Sequence, residues 1–395
     1  MQIAMDAAGF SASEADKLRR SMAAWKRTGG VHHFKDRVIE GMVANDYRRE
    51  FAEQIFQQML GFGEYGFPES HAYSFALLAY ASAWLKRHEP ACFLAALLNS
   101  QPMGFYTPSQ LVQDARRHGV RVLPVDVTVS DWLTTLEAPL LPIGDVEHPQ
   151  PAVRLGLNFV AHLEGAAAER LLHARQQAPF ESTQDLALRA QLARQDLQAL
   201  AAADALASLS GHRRQQMWDA AAQLRAPPLL HDAPTHEDRL ELPQAKEGEA
   251  ILFDYAATGL TLRRHPMNLL RAKLDHWKIR TAAQLLDVPN GRRVRAAGIV
   301  TVRQRPGTAK GTMFVSLEDE TGTVNVVVWP SVLEQWREPL LRSRLLAVEG
   351  TWQCSQPNPD TPQHATRHLV LERVKDLTPL LGRLAPVLNG SRDFH

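Results

Sequence analysis

The residues with the most suggestive chemistry form a basic stretch in the last third of the chain. Between Val288 and Leu317 there is no Asp or Glu. The same stretch contains Arg292, Arg293, Arg295, Arg303, Arg305 and Lys310. Such a concentration of cations attracts a phosphate backbone without reading any base. These residues are therefore candidate DNA contacts, although a solvated strand edge uses Lys and Arg in the same way to prevent aggregation.

The acidic and histidine side chains do not show the pattern of a catalytic or metal-binding site. Glu318-Asp319-Glu320 is followed by Thr321-Gly322, so a turn explains the triplet better than metal binding does. The histidines at 32, 33, 71 and 88 lack the spacing and carboxylate neighbours of a metal site. We therefore predict no catalytic residue and no metal site in this chain.

The elements that carry the basic stretch predict a small β-barrel over residues 288–376. Strands are expected at Arg292–Arg303, Met313–Leu317, Thr323–Trp329, Leu345–Trp352 and His368–Val374. Gly298 falls where a barrel strand bends, and Ser331 with Glu334 predicts a capped helix over Val332–Leu341. Five strands with one helix after the third is the order of the OB-fold, a barrel whose face binds single-stranded nucleic acid. The tryptophans at 329, 336 and 352 could stack on bases, but the barrel core is the favoured place for them.

A second candidate DNA contact lies earlier, in Leu155–Leu172. This segment resembles a helix-hairpin-helix, in which free backbone N–H groups and a helix N-terminus accept a phosphate. The candidate residues are Leu163, Gly165, Ala166 and Arg170. The usual hairpin has two glycines, whereas this chain has His162 in the first position and keeps only Gly165. A plain pair of antiparallel helices is the alternative.

The pattern of the first 130 residues predicts helices. Ser11 with Glu14, and Thr107 with Gln110, form capping boxes, and Gly29-Gly30 should end the helix that begins after Ser11. Later in the chain, Thr281 with Gln284 predicts a cap on the last helix before the barrel. A helix over Tyr47–Leu60 is followed by a break at Gly61–Pro68, and Ser74–Asn99 gives two helices separated by Pro90. The apolar run Phe75–Leu85 is too short to span a bilayer and is interpreted as a buried helix.

Length and composition set bounds on the whole chain. Its 395 residues, 45% of them hydrophobic, suggest two to four domains. The net charge of +1 means that any DNA-binding surface must be a local patch. Only two cysteines occur and no signal peptide is visible, which favours a reducing cytoplasm.

The segment from Gly61 to Tyr106 contains the motifs that are most specific to one protein family. Ser70-His71-Ala72, an aromatic helix, Lys86, Pro90 and Phe93–Leu98 resemble the fingers of bacterial C-family DNA polymerases, relatives of the polymerase III alpha subunit. Gly66–Ala72, Asn99–Tyr106 and the final Ser391–His395 resemble the error-prone branch, which accompanies damage-induced mutagenesis. The resemblance covers the chain nearly from end to end.

The resemblance implies a multidomain α + β protein. It divides the chain into a C-terminal part of the polymerase fingers (1–130), a linker (131–151), a helix-hairpin-helix module (152–224), a second linker (225–246), a helical connector (247–287), the C-terminal OB-fold (288–376) and a tail (377–395). It also makes Lys86 and Arg87 possible template or nucleotide contacts, although the polar end of a buried helix is the favoured explanation. The function implied is DNA binding, to primer-template phosphates and single-stranded template, for an error-prone polymerase in translesion synthesis.

Catalysis in this family uses Mg²⁺ held by closely spaced palm aspartates. No Asp-x-Asp occurs in this chain, so we expect Mg²⁺ only in a complete polymerase and no independent catalysis here. The implied partners are DNA, the remainder of the polymerase, accessory mutagenesis proteins and, indirectly, the sliding clamp. Gln244 and Leu252-Phe253 do not have the spacing of a clamp-binding peptide. A catalytically inert interaction module and a free-standing single-strand binder remain the alternatives.

Overall fold

The computed structural model describes residues 2–23, 34–65, 69–104, 106–138, 150–222, 240–355, 366–388 and 392–394. Its contacts divide the chain into two compact units, Met1–His88 and Glu89–His395.

The first unit is helical. Its helices are α1 (Gln2–Ala8), α2 (Ala12–Ala23), α3 (Lys35–Ala44), α4 (Arg49–Tyr65) and α5 (Glu69–His88). Leu18, Ile39, Met42 and Phe56 are the large members of a core made by α1 to α4. The capping box before α2 is confirmed, because the Ser11 and Glu14 side chains each bond the other residue's backbone N–H. The predicted Gly29-Gly30 stop lies outside the described residues.

The interpretation of the run Phe75–Leu85 as a buried helix is wrong. The run does form helix, but α5 is exposed from Tyr73 to His88, with Tyr80 72% and Leu78 61% accessible. The break expected from Gly61 also starts later, because α4 continues to Tyr65. Among the described residues, no helix is both long and apolar enough to cross a membrane.

The second unit begins with a helical core around a small sheet. Helices α6 (Pro90–Asn99) and α7 (Pro108–Arg117) precede strands β1 (Val122–Leu123), β2 (Thr135–Glu137) and β3 (Ala152–Arg154), which pair in the order β1-β3-β2. The hairpin region follows as α8 (Gly165–Gln177), α9 (Thr183–Arg189), α10 (Arg194–Ala202), α11 (Ala207–Ser210) and α12 (Arg213–Ala222). Leu94, Val112 and Val153 share one hydrophobic core with Leu171 and Leu200. Residues 89–138 therefore pack with the hairpin region, whereas the sequence places the domain boundary at 130 and a linker after it.

Three helices connect this core to the barrel: α13 (Glu247–Thr258), α14 (Pro266–His276) and α15 (Ala282–Leu286). Helix α13 gives Ala257 to the hairpin core and Ile251 to the cluster that lies against the barrel. The predicted capping box at the start of α15 is confirmed, with Thr281 N–H donating to the Gln284 side chain at 2.9 Å.

The barrel has the predicted OB-fold order. Its strands are β4 (Arg293–Gln304), β5 (Met313–Glu318), β6 (Thr323–Val328), β7 (Leu345–Cys354) and β8 (Arg367–Asp376), with β9 (Arg392–Phe394) added in parallel beside β4. The order β5-β6-β8-β7-β4 is closed by pairing of β4 with β5. The helix after β6 is split into α16 (Pro330–Gln335) and α17 (Arg337–Arg342). The expected Ser331 cap is wrong, because α16 begins at Pro330 with Trp329 in the N-cap position.

Candidate nucleic-acid interface

The outer face of β5 and β6 presents aromatic side chains to solvent. Met313, Val315 and Leu317 point into the barrel, so the alternation of the strand turns Phe314 outward, where it is 39% exposed. Trp329, directly after β6, is 51% exposed, whereas Trp352 is only 3% exposed. The barrel tryptophans thus divide between surface and core. Sequence analysis missed Phe314, although the same alternation identifies it.

Two of the predicted basic residues flank this face. Arg305 and Lys310 are exposed in the loop between β4 and β5. A Cβ built on Gly311 would lie 3.6 Å from both an Arg305 guanidinium nitrogen and Pro330 Cγ, so the Arg305 side chain extends toward the residue that follows Trp329. The structure therefore brings cations and exposed aromatic rings together on one side of the barrel.

The prediction for Arg303 is corrected by the structure. Arg303 is 6% exposed, and its guanidinium donates to the Leu340 carbonyl at 2.7 Å and to the Ser343 carbonyl at 2.5 Å. These bonds satisfy carbonyl groups at the end of α17, which would otherwise lack partners. Arg303 stabilises the barrel and is not available to a phosphate.

Arg292, Arg293 and Arg295 are all exposed, but two of them are already paired. Arg293 contacts Glu349 at 3.1 Å and Glu372 at 3.0 Å, and Arg295 contacts Glu349 at 3.0 Å. The basic stretch contains no acidic residue, yet the fold places carboxylates of β7 and β8 beside it. The six candidate cations therefore do not form one groove.

The hairpin survives the loss of its first glycine. A 3₁₀ turn (Leu157–Phe159) leads to His162, which adopts a left-handed φ of 66°, and α8 then begins after Glu164. Gly165 and Ala166 are exposed in the first turn of α8, where helix N–H groups lack partners within the helix. This turn can accept a phosphate, although the Glu164 carboxylate beside it opposes an anion.

The other two hairpin candidates have structural roles. Leu163 is 8% exposed in the hairpin core, and its backbone N–H donates to Val160. The Arg170 guanidinium donates to the carbonyls of Ala166, Ala190 and Gln191, so it links α8 to the turn after α9. Contact of either residue with a phosphate stays a prediction.

Lys86 and Arg87 lie in the last turn of α5, in the first unit. Both are exposed, and the neighbouring His88 ring stacks on Trp84 with centroids 4.8 Å apart. The cations follow an exposed apolar helix rather than the buried one that the sequence predicts.

Each residue of the acidic triplet Glu318-Asp319-Glu320 contacts another part of the fold. Asp319 accepts from Ala282 N–H at 2.7 Å and from the N–H groups of Thr321 and Gly322, so it fixes the turn and the start of α15. Glu318 faces His265 at 3.4 Å, and Glu320 accepts from Arg271 at 2.5 Å. Turn formation is therefore the right explanation for Asp319, as the sequence indicates.

Glu320 also has a perturbed pKa. Burial alone would raise it, but the hydrogen bonds and positive charge of Arg271 outweigh burial and hold the pKa of Glu320 below its ordinary value of 4.5. Glu320 is thus held ionised by a structural ion pair. Within the described part of the chain, no three His, Cys, Asp or Glu side chains are grouped to hold a metal ion.

Comparisons with known proteins identify three families along the chain. Residues 1–46 match the bacterial DNA polymerase III alpha subunit finger domain, residues 119–216 match the helix-hairpin-helix motif, and residues 294–377 match the OB-fold nucleic acid binding domain. Error-prone DNA polymerase of Burkholderia pseudomallei is 55% identical over 396 residues, which cover 100% of this chain and 36% of that protein. The Methylococcus capsulatus error-prone DNA polymerase is 51% identical and is covered to 38%.

The chain thus spans little more than a third of the length of these relatives. Among solved structures, asparaginyl-tRNA synthetase of Pyrococcus horikoshii matches 22% of this chain and 20% of its own at 25% identity, with a TM-score of 0.18. That score is too low to support any conclusion.

Proposed function

Because this chain belongs to the family of bacterial error-prone DNA polymerases, of which it corresponds to a C-terminal part, we propose that it binds DNA for such a polymerase. The barrel engages the single-stranded template, and the hairpin contacts phosphates of the primer-template duplex. In the complete polymerase this would serve translesion synthesis after DNA damage.

The observation that carries the proposal is the outer face of β5 and β6. The second and third strands of an OB-fold, together with the loop between its first two strands, are the usual surface for oligonucleotides. Here that surface presents Phe314 and Trp329 beside Arg305 and Lys310. Exposed aromatic rings stack on bases, and nearby cations hold the backbone, without any need to read sequence.

The hairpin supports the duplex contact. Its exposed Gly165-Ala166 turn offers N–H groups at the start of a 13-residue helix, which is a favourable position for a phosphate. Contacts of this kind position a protein on DNA and carry no sequence information. They suit a polymerase that must move along any template.

Catalysis is proposed only for a complete polymerase. The acidic triplet is engaged by Arg271, His265 and backbone N–H groups, so these residues do not fit the Mg²⁺ of polymerase chemistry. In such a polymerase Mg²⁺ supplies charge stabilisation at the transferred phosphate. The residues described in this structure contribute binding and positioning.

The remainder of the polymerase is the proposed partner of α5. Exposed apolar surface of this extent marks an interaction site. Its exposed side chains are Tyr73, Phe75, Leu77, Leu78, Tyr80, Trp84 and Leu85. The relatives are nearly three times longer than this chain, so they contain further chain to cover such a surface. Accessory mutagenesis proteins and an indirect contact with the sliding clamp belong to the same proposal.

The test is titration of a fluorescently labelled deoxythymidine oligomer with the purified chain, read by anisotropy. We expect Phe314→Ala and Trp329→Ala each to weaken binding by about 1–3 kcal/mol, because each removes a stacking platform for one base. Trp218→Ala is the matched control, since Trp218 is also 51% exposed but lies on α12. Equal losses for Trp329→Ala and Trp218→Ala would contradict the proposal.

A further inference from the structure

A pocket of about 610 Å³ opens on a different side of the barrel. It lies between the end of α14 and the outer surfaces of β4, β7 and β8, with residues 276–279 along one wall. Its lining residues include none of Arg305, Lys310, Phe314 and Trp329, so the pocket is separate from the surface proposed above to bind template.

Strand register explains the shape of the pocket. Arg295, Glu349 and Arg373 are aligned across β4, β7 and β8, and the next outward row contains Ala297, Ala347 and Lys375. The two alanines leave a depression in the outer surface, and Ala347 lines it. Trp277, which follows α14, stands beside this depression and closes one side of it.

The lining of the pocket is strongly basic. Lys278, Arg295, Arg373 and Lys375 line it, against the single carboxylate of Glu349. Glu349 already contacts Arg293 and Arg295 at 3.1 Å and 3.0 Å. In the part of the chain that the structure describes, Lys278, Arg373 and Lys375 form no ion pair. Three cations with no ion-pair partner among the described residues therefore face a concave surface whose one acidic lining residue, Glu349, is already paired.

Trp277 holds two lysine head groups at this site. Lys273 Nζ and Lys375 Nζ lie 5.3 Å and 5.8 Å from the Trp277 ring centroid. Cations over an indole face are attracted by the ring, which restricts where they point. The indole thus places positive charge at the mouth of the pocket and offers an aromatic edge next to it.

We propose that this pocket binds the phosphodiester backbone of single-stranded nucleic acid, as a second contact on the barrel. Arg373 supplies a planar fork for phosphate oxygens, and Lys278 and Lys375 supply point charges on either side. The choice of nucleic acid over an acidic protein surface rests on the proposed function. It is also favoured by the combination of unpaired cations with an aromatic ring, which is typical of single-strand grooves.

The experiment uses the full chain and a deoxythymidine oligomer, with affinity measured between about 50 and 200 mM salt. Arg373→Gln/Lys375→Gln removes two phosphate contacts and should reduce the magnitude of the salt slope by about 1.4, which is about a sevenfold effect over that range. Arg117→Gln/Arg121→Gln is the charge-matched control, because both arginines are exposed and lie outside the pocket. An oligomer carrying 5-iododeoxyuridine should also cross-link to the peptide that contains Trp277.

The outcomes separate this site from the template face. An unchanged salt slope together with no cross-link at Trp277 would overturn the proposal that the pocket binds nucleic acid. If Trp329→Ala still weakened binding in that case, the proposal for the template face would stand. Loss of slope in the pocket variant with no effect of Phe314→Ala or Trp329→Ala would support the pocket and contradict the template face. Binding of poly-glutamate that depends on Arg373 and Lys375, with an unchanged DNA slope, would assign the pocket to an acidic protein and overturn the proposal.

Discussion

At the scale of single residues, three arginines of β4 and the loop after it have different surroundings. Arg303 is buried against the carbonyls of Leu340 and Ser343, Arg295 pairs with Glu349, and Arg305 remains at the surface beside the aromatic face. Their side-chain chemistry is identical, so the difference comes from what the fold places next to each one. Only the exposed cations near an aromatic ring keep the properties that DNA binding requires.

Glu320 provides a residue-scale prediction about acid stability. Its pKa in the folded protein lies below the ordinary value of 4.5, so its contribution to stability is present above about pH 4.5 and is lost as the pH falls through the lowered pKa. Glu320→Gln should therefore lower the urea midpoint near neutral pH and lose less stability than wild type on acidification. The measurement is urea unfolding at about pH 7 and about pH 3.5.

The control for this prediction is Glu372→Gln. Glu372 pairs with Arg293 but its side chain is 40% exposed, whereas that of Glu320 is 10% exposed. A solvent-exposed ion pair contributes little, about 0–1 kcal/mol. If Glu320→Gln lost as much stability on acidification as wild type, the Glu320–Arg271 ion pair would not contribute to the acid sensitivity of the fold.

At the scale of elements, β4 shows how a local signal and a tertiary contact combine. Gly298 is expected at a bend, and the structure shows why no side chain fits there. A Cβ at position 298 would lie 2.8 Å from the Glu318 carbonyl oxygen and 2.9 Å from the Glu318 nitrogen. The β4–β5 pairing that closes the barrel therefore depends on this glycine.

Gly298→Ala should destabilise the barrel by about 1–3 kcal/mol, because a methyl group would push against backbone atoms that cannot move aside. Thermal unfolding followed by circular dichroism measures the effect. Gly307→Ala, in the loop after β4, is the control, since a Cβ there has no atom within 4 Å. Equal melting temperatures for the two variants would show that the β4–β5 approach is looser than the structure indicates.

At the scale of the whole molecule, α13 joins the hairpin core to the barrel within the second unit. Arg213 of α12 contacts Asp254 of α13 at 2.5 Å, and Arg263 contacts both Asp254 and Asp204, at 3.3 Å and 2.7 Å. Arg213 is 5% exposed and Asp254 is 8% exposed. This ionic network means that the connector is not a free tether between two DNA-binding modules.

Asp254→Ala should destabilise the second unit by about 3–5 kcal/mol, because it removes the close carboxylate partner of the buried Arg213 and leaves it with Asp204 at 3.7 Å. Calorimetry should also show the hairpin and barrel regions melting separately in this variant, whereas they melt together in wild type. Asp185→Ala is a suitable control, because its partner Arg189 is on its own helix α9. Unaltered cooperativity in Asp254→Ala would mean that apolar packing alone couples the two regions.

The sequence by itself determined the features that depend on neighbours along the chain. Strand alternation gave the five barrel strands in order, and capping boxes located the starts of α2, α7 and α15, because these signals act over a few residues. The tertiary structure decided which residues meet. Arg295 and Glu349 are 54 residues apart, and no local pattern indicates that the fold pairs them. For the same reason the sequence could not show that α5 is exposed, since apolar periodicity identifies a surface to be covered but not the chain that covers it.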